Sequence, residues 1–141
     1  MKSFSLLFLG IMLVTGAPHK RSPSEECKLQ RTILEEIIEH VKVMKRFKNS
    51  RILVKNVITP ANCTCDNFRK AGKVLSEYEA EMLGLTEKNW LLPRTLTSYS
   101  KNTHCNVKTQ ITNFTDEVEF HQLLENIKLC AQEKYRDTSC D

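Results

Sequence analysis

The segment from Asp116 to Tyr135 carries a regular pattern of apolar and polar positions around which the rest of the chain is organised. Its apolar residues follow the i, i+3, i+4, i+7 spacing of one helical stripe: Phe120, Leu123, Leu124, Ile127 and Ala131. Charged and amide residues, Asn126 among them, fill most of the opposite face, and Thr115 can cap the N-terminus. A single helix cannot bury its own stripe, so the pattern predicts the last helix of a small bundle.

Helical spacing also appears near the start of the chain, in a stripe formed by Ile33, Ile37, Val41 and Met44. Ser22 to Glu25 has the form of a capping box with proline at the first helical position, and Thr32 offers an alternative start. We expect this first helix to end at Asn49 and Ser50.

Two more helices are predicted in the middle of the chain. The second begins with Asp66 as its cap, ends at Gly84 and has a stripe of Phe68, Ala71, Leu75, Tyr78 and Met82. Gly72 within it costs about 1 kcal/mol relative to alanine unless a close helix contact requires glycine. The third helix, capped by Thr86, meets Pro93, which either kinks it or begins a shorter helix, because proline lacks a backbone N–H.

Two stretches with β-branched residues, 51–59 and 105–112, predict short strands between helices. The predicted order is helix, strand, helix, helix, strand, helix, with long first and third connections and a short second one. An up-up-down-down bundle requires that pattern of connections. We therefore predict an all-α fold, a short-chain four-helix bundle with a small two-stranded β pair in its two crossovers.

Residues 1–16 have the features of a secretory signal peptide. Lys2 gives the positive start, residues 4–14 are almost wholly apolar, and small residues follow. The apolar run is too short to span a bilayer, and no later run is long enough. We expect cleavage after Gly16, which leaves residues 17–141 as one secreted, extracellular domain without membrane insertion.

Six cysteines follow the predicted cleavage site: Cys27, Cys63, Cys65, Cys105, Cys130 and Cys140. An even count in an exported chain of this size predicts three disulfides. A zinc site is the alternative, but its spacing fits known zinc sites poorly; its ligands would be Cys63, Cys65, His104 and Cys105. Two sequons, at Asn62 and Asn113, predict N-glycosylation.

The charge pattern argues against a nucleic-acid partner. The formal net charge is +4, and acidic residues are interleaved with the basic ones throughout. The basic run from Lys42 to Lys48 is broken by apolar residues and is typical of a solvated helical face, with a weak heparin or membrane-surface contact as the alternative. Neither nucleophile nor metalloprotease motifs accompany the scattered histidines, so we predict no enzyme activity and no cofactor.

Four stretches, in order, resemble the interleukin-4/interleukin-13 family of short-chain helical cytokines. Residues 34–38, LEEII, are similar to the Leu-Gln-Glu-Ile-Ile motif of the family's first helix. Residues 56–75 resemble its first crossover, glycosylation site and second helix, residues 105–108 the start of its last crossover, and residues 124–140 its last helix. The chain departs from the family in having no cysteine between its second and third helices and in having Cys130 within the fourth.

The resemblance implies a monomeric cytokine that bridges two type I cytokine receptor ectodomains and triggers type 2 immune signalling. The expected chains are one like the interleukin-4 receptor alpha chain, and a second like the common gamma or the interleukin-13 receptor alpha-1 chain. The resemblance assigns Glu36 and Arg94 to the patch that binds the first receptor chain. It assigns four residues to the second: Ile38, Lys42, Gln132 and Tyr135.

The resemblance also implies disulfide pairs. Cys27 is expected to join Cys140, and Cys105 to join Cys65 in preference to Cys63. Cys63 and Cys130 then either pair or leave Cys130 as a free thiol. Two other functions remain as alternatives: a short-chain cytokine with different receptors, and a secreted disulfide-rich helical lipid carrier.

Overall fold

Four α-helices and a two-stranded antiparallel sheet dominate the part of the chain that the structure, a computed structural model, describes: residues 22–44, 52–105 and 116–140. The elements, in order, are α1 (Pro23–Met44), β1 (Leu53–Lys55), α2 (Cys65–Leu75), two 3₁₀ turns (Ala80–Leu83 and Glu87–Asn89), α3 (Leu92–Asn102), β2 (Glu117–Glu119) and α4 (Phe120–Asp137). This mostly helical architecture with a small sheet confirms the predicted class. The predicted signal peptide, the predicted end of the first helix, most of the strand predicted at 105–112, and Asn113 lie outside the described residues.

Helix α1 begins at the first of the two predicted starts. The Ser22 hydroxyl accepts a hydrogen bond from the Glu25 backbone N–H at 3.2 Å, and the Glu25 carboxylate accepts one from the Ser22 N–H at 3.3 Å. These reciprocal bonds satisfy two otherwise unpaired N–H groups at the helix start. Thr32 instead lies inside the helix, and its hydroxyl donates to the Lys28 carbonyl.

Helix α2 is shorter than predicted, and its cap is Thr64, two residues before Asp66. The Thr64 hydroxyl accepts from the Asn67 N–H at 3.2 Å, while the Asp66 carboxylate contacts Arg69 and Lys70 from the first turn. The helix ends at Leu75, so the predicted stripe does not continue to Met82, which is 60% exposed. Gly84 does end a helical turn, but that of the 3₁₀ segment, with φ at 71°.

Pro93 starts α3 instead of kinking it, which decides between the two predicted outcomes. It lies in the first turn of Leu92–Asn102, where the missing N–H has no helical acceptor to lose. The helix ends with His104 in the left-handed region, at φ 52°. The N–H groups of His104 and Cys105 donate to the carbonyls of Lys101 and Ser100, the pattern of a Schellman motif.

The start of the last helix was predicted too early. Residues 117–119 form β2 and pair with β1, with Val118 opposite Val54, and α4 begins only at Phe120. The sequence Glu-Val-Glu alternates as a strand does, and pairing places its one apolar side chain over the buried Val54. The stripe of α4 is buried as predicted, but Asn126, assigned to the polar face, is buried as well. Its amide donates to the Ile58 carbonyl at 3.0 Å.

The helices pack around one core, with α2 against α3, and α1 against both α3 and α4. A Cβ added at Gly72 would lie 3.1 Å from the Pro93 carbonyl and 3.2 Å from the Leu96 Cβ, so α2 and α3 approach closely where the glycine lies. Phe68 and Tyr99 join the same two helices edge to face, with ring centroids 4.9 Å apart.

The six cysteines form three disulfides: Cys27–Cys140, Cys63–Cys130 and Cys65–Cys105. The first and third are the pairs that the resemblance implied, and the second is the disulfide alternative for the remaining two cysteines. These bonds occupy every cysteine of the alternative zinc site. Among the described residues, no cluster of His, Cys, Asp and Glu has the geometry to hold a metal ion.

Candidate functional site

Glu36 lies on the exposed side of α1, next to the fully buried Ile37. In the described part of the chain its carboxylate forms no ion pair. His40, four residues later and half-buried, feels its charge: burial lowers the pKa of His40, while the Glu36 and Glu39 carboxylates oppose that shift. Glu36 is therefore an acid that a partner molecule can reach and pair.

The residues assigned to the second receptor patch lie on α1 and α4, two helices that pack on each other. Together with Arg31 we name them the α1–α4 patch: Arg31, Ile38, Lys42, Gln132 and Tyr135. The Arg31 guanidinium lies 4.2 Å from the Tyr135 ring centroid, a cation–π contact between the two helices. Ile38 and Tyr135 are half-buried against the core, and Lys42 is exposed with its Nζ 3.4 Å from Glu39. Four of these residues were assigned together from the sequence. Arg31 was missed, although it precedes Ile38 by seven residues and so lies on the same side of the helix.

Arg94 lies in a groove between the end of α2 and α3, which we name the α2–α3 groove. Its volume is about 570 Å³ and its lining residues are Ser76, Tyr78, Trp90, Pro93, Arg94, Thr97, Ser98 and Lys101. No residue of α1 is among them, and no ion pair joins Glu36 to Arg94 in the described ranges. The two residues assigned to one patch therefore lie on neighbouring helices without an ion pair between them.

The groove contains residues that sequence reasoning did not connect with Arg94. Lys101 follows Arg94 by seven residues and lies two turns further along the same side of α3. Trp90 was not assigned to any receptor patch, yet it precedes α3 and is half-exposed at the groove. The i, i+7 spacing of the two cations was visible in the sequence, but the contribution of the α2 end was not.

Asn62, the described sequon asparagine, is exposed in a turn before α2. The other sequon members have structural roles, since Cys63 is disulfide-bonded and the Thr64 hydroxyl caps α2. No helix within the described ranges is long and apolar enough to cross a membrane.

Comparison of the chain with protein-family models, with curated proteins and with solved structures found no match.

Proposed function

We propose that this chain is a secreted cytokine similar to interleukin-4 and interleukin-13, which bridges two type I cytokine receptor chains. The observation that carries the proposal is that α1 exposes two unlike surfaces on opposite sides of one buried residue. Ile37 points into the core, and successive helix residues are rotated by about 100°, so Glu36 and Ile38 flank it on either side. An acid that can pair stands at one edge, and the partly apolar α1–α4 patch at the other.

Helix directions that fit an up-up-down-down bundle support the proposal. Cys27, near the start of α1, is bonded to Cys140 after α4, and Gln30 donates to the Asn102 carbonyl at the end of α3 at 3.1 Å. Gly72, late in α2, approaches Pro93 at the start of α3. These contacts are consistent with α1 and α2 running in one direction and α3 and α4 in the other. The pairing of β1 with β2 is consistent with two long crossovers that lie side by side.

The α1–α4 patch suits a receptor interface because aromatic and arginine side chains dominate binding energy at such interfaces. The Arg31 guanidinium over Tyr135 holds both side chains in place before binding. Ordering side chains on binding costs about 0.5–1.5 kcal/mol for each flexible group, so a patch that is ordered in advance binds more tightly.

The first prediction concerns Glu36. A receptor that covers this carboxylate must supply hydrogen-bond donors or a cation, and truncating one partner of such a pair commonly costs about 2–5 kcal/mol. We expect Glu36→Ala to weaken binding of the receptor alpha-like chain by at least about tenfold. Thermal stability should change little, because Glu36 is exposed and unpaired among the described residues. Surface plasmon resonance on immobilised ectodomain, beside a melting curve, measures both.

Glu35→Ala is the matched control, since Glu35 is the neighbouring exposed glutamate but points about 100° away. Tyr135→Ala distinguishes the two receptor interfaces. We expect it to weaken binding of the second receptor chain and to leave binding of the first chain unchanged. Equal affinity of wild type and Glu36→Ala, or equal losses in Glu35→Ala and Glu36→Ala, would contradict the assignment of Glu36. Arg94→Ala tests the resemblance-based assignment of Arg94 in the same assay.

Two alternatives give different results in these experiments. A short-chain cytokine with other receptors would bind neither expected ectodomain but would still form a complex with a different pair of type I receptor chains. A lipid carrier would release bound lipid when the purified protein is extracted with organic solvent, and none of the receptor ectodomains would bind it.

A further inference from the structure

The α2–α3 groove combines two cations with an apolar surface. Arg94 and Lys101 are exposed on α3, and none of the described residues that line the groove is acidic. Neither cation forms an ion pair within the described part of the chain. Elsewhere on the described surface, lysines such as Lys42 and Lys128 lie within 4 Å of a carboxylate. The groove is thus positive and open to an anionic partner.

The apolar side of the groove is fixed in place. The Trp90 indole N–H donates to the Tyr78 carbonyl at 2.8 Å, so its one polar group is already paired and the ring presents an apolar surface. The rings of Trp90 and Tyr78 also pack on the ring of Phe120 at the start of α4. The centroid distances to Phe120 are 6.1 Å for Trp90 and 6.3 Å for Tyr78. A half-exposed aromatic ring that is held this way is suited to anchor a partner side chain.

The spacing of the cations selects the shape of the partner. Residues seven apart on an α-helix are separated by roughly 10.5 Å along the axis. A chain in the polyproline II conformation advances about 3.1 Å per residue and returns to the same side every third residue, so its positions i and i+3 are about 9.3 Å apart on one side. Two acidic side chains three residues apart in an extended segment therefore match Arg94 and Lys101. Trp90 precedes Arg94 by four residues, so it lies beyond the Arg94 end of the pair, on the side away from Lys101.

We propose that the α2–α3 groove binds an extended acidic segment of a partner protein, with two carboxylates three residues apart and an apolar or aromatic residue just beyond the carboxylate that pairs with Arg94. Arg94 and Lys101 pair with the two carboxylates, and Trp90 packs against the apolar side chain that follows beyond Arg94. This binding site is separate from the Glu36 surface and the α1–α4 patch. It does not rest on the proposed function, because any protein with such a segment fits the groove.

Trp90 gives a direct measurement, since it is the only tryptophan in the chain. The probe is the peptide Ser-Phe-Pro-Asp-Pro-Pro-Asp-Ser with blocked ends, titrated into the protein with its disulfides intact while Trp90 fluorescence is followed. We expect a saturable change that weakens as salt is raised, because ion pairs at a surface are screened. The peptide with Asn in place of both Asp residues should bind at least about tenfold more weakly.

Variants locate the binding site. Arg94→Gln and Lys101→Gln should each weaken peptide binding by at least about threefold, and the double variant by about tenfold or more. Lys88→Gln is the matched control: Lys88 is an exposed cation in the 3₁₀ turn before Trp90 and does not line the groove. Circular dichroism confirms that each variant is folded.

Three outcomes would overturn the inference. One is the absence of a saturable fluorescence change at millimolar peptide. Another is equal weakening by Lys88→Gln and by the groove variants, which would indicate attraction by overall charge alone. The third is binding of a heparin hexasaccharide that depends on Arg94 and Lys101 while the acidic peptide does not bind, which would make a sulfated polysaccharide the ligand. Loss of receptor binding with retained peptide binding would count against the proposed function and leave this site standing.

Discussion

The imidazole of His40 is half-buried on α1, one turn after Glu36. Burial lowers its pKa below the ordinary value of 6.5, and the opposing charges of Glu36 and Glu39 do not restore it. The folded protein therefore binds a proton at His40 less readily than the unfolded chain does. Asp66 titrates in a more acidic range: burial by itself would raise its pKa, but hydrogen bonds and charges from Lys70 and Arg69 outweigh burial and lower it.

The second prediction follows from the direction of the His40 shift. Because the unfolded state binds more protons below about pH 6.5, the stability associated with neutral His40 is present above that pH and is lost as pH falls through the folded pKa. We expect His40→Gln to flatten the fall in unfolding free energy between about pH 7 and pH 5, measured by urea denaturation at a series of pH values. His121→Gln is the matched control on the exposed face of α4. The same slope in wild type and His40→Gln would contradict the prediction.

Helix α2 packs on α3 so closely that the backbone of one nearly touches the side chains of the other. Gly72 lies at the contact, facing the Pro93 carbonyl, the Thr97 hydroxyl and the Leu96 Cβ. Two of these three atoms belong to the backbone or are fixed to it, so they cannot rotate away from an added methyl group. Glycine inside α2, which is unfavourable for an isolated helix, is therefore explained by the contact between the two helices.

The third prediction is that Gly72→Ala destabilises the protein. Alanine favours the helix by about 1 kcal/mol, but overpacking a tight contact typically costs about 1–3 kcal/mol. We expect a net loss of about 1 kcal/mol in the free energy of unfolding, measured by urea denaturation. Thr97→Ala in the Gly72→Ala background should recover part of the loss, because it removes one of the three crowding atoms. A stabilising Gly72→Ala would show that α3 moves away without cost.

The two disulfides that span the longest stretches of sequence restrain the molecule as a whole. Cys27–Cys140 links residues 113 positions apart and is half-exposed, so it ties the two ends of the described chain together. Cys63–Cys130 spans 67 positions and is buried in the core, where it fixes the segment before α2 against α4. Asn126 reinforces the same junction through the Ile58 carbonyl. One bond thus restrains the ends, and the other is also part of the core packing.

The fourth prediction compares these two disulfides. Loop-closure entropy alone gives each about 4–5 kcal/mol and slightly favours the longer loop, Cys27–Cys140. Replacing two buried sulfurs by alanine also leaves a cavity, which adds a further cost that grows with its volume. We therefore expect the Cys63→Ala/Cys130→Ala pair to lower the free energy of unfolding more than the Cys27→Ala/Cys140→Ala pair. Urea denaturation of both double variants measures the order, and the reverse order would show that loop length dominates.

Features that depend on neighbours along the chain followed from the sequence alone. The helical spacing of Ile33, Ile37 and Val41 identified the buried side of α1, and the stripe from Phe120 to Ala131 identified that of α4. The capping box at Ser22 and Glu25 set one of the two predicted starts of α1, because its hydrogen bonds are made within a single turn. The three disulfides were predicted in number from an even cysteine count, without any knowledge of contacts.

Features that depend on residues far apart in the sequence could be seen only in the folded protein. Glu117 to Glu119 suits a helix start by charge, yet it forms a strand because β1, more than sixty residues earlier, offers a pairing edge. Asn126 is buried because the Ile58 carbonyl requires a donor in the core. The α2–α3 groove exists because the end of α2 and Trp90 lie beside Arg94 and Lys101. Helical periodicity records which side of an element is apolar, but it contains no information on which distant backbone group or side chain will meet that side.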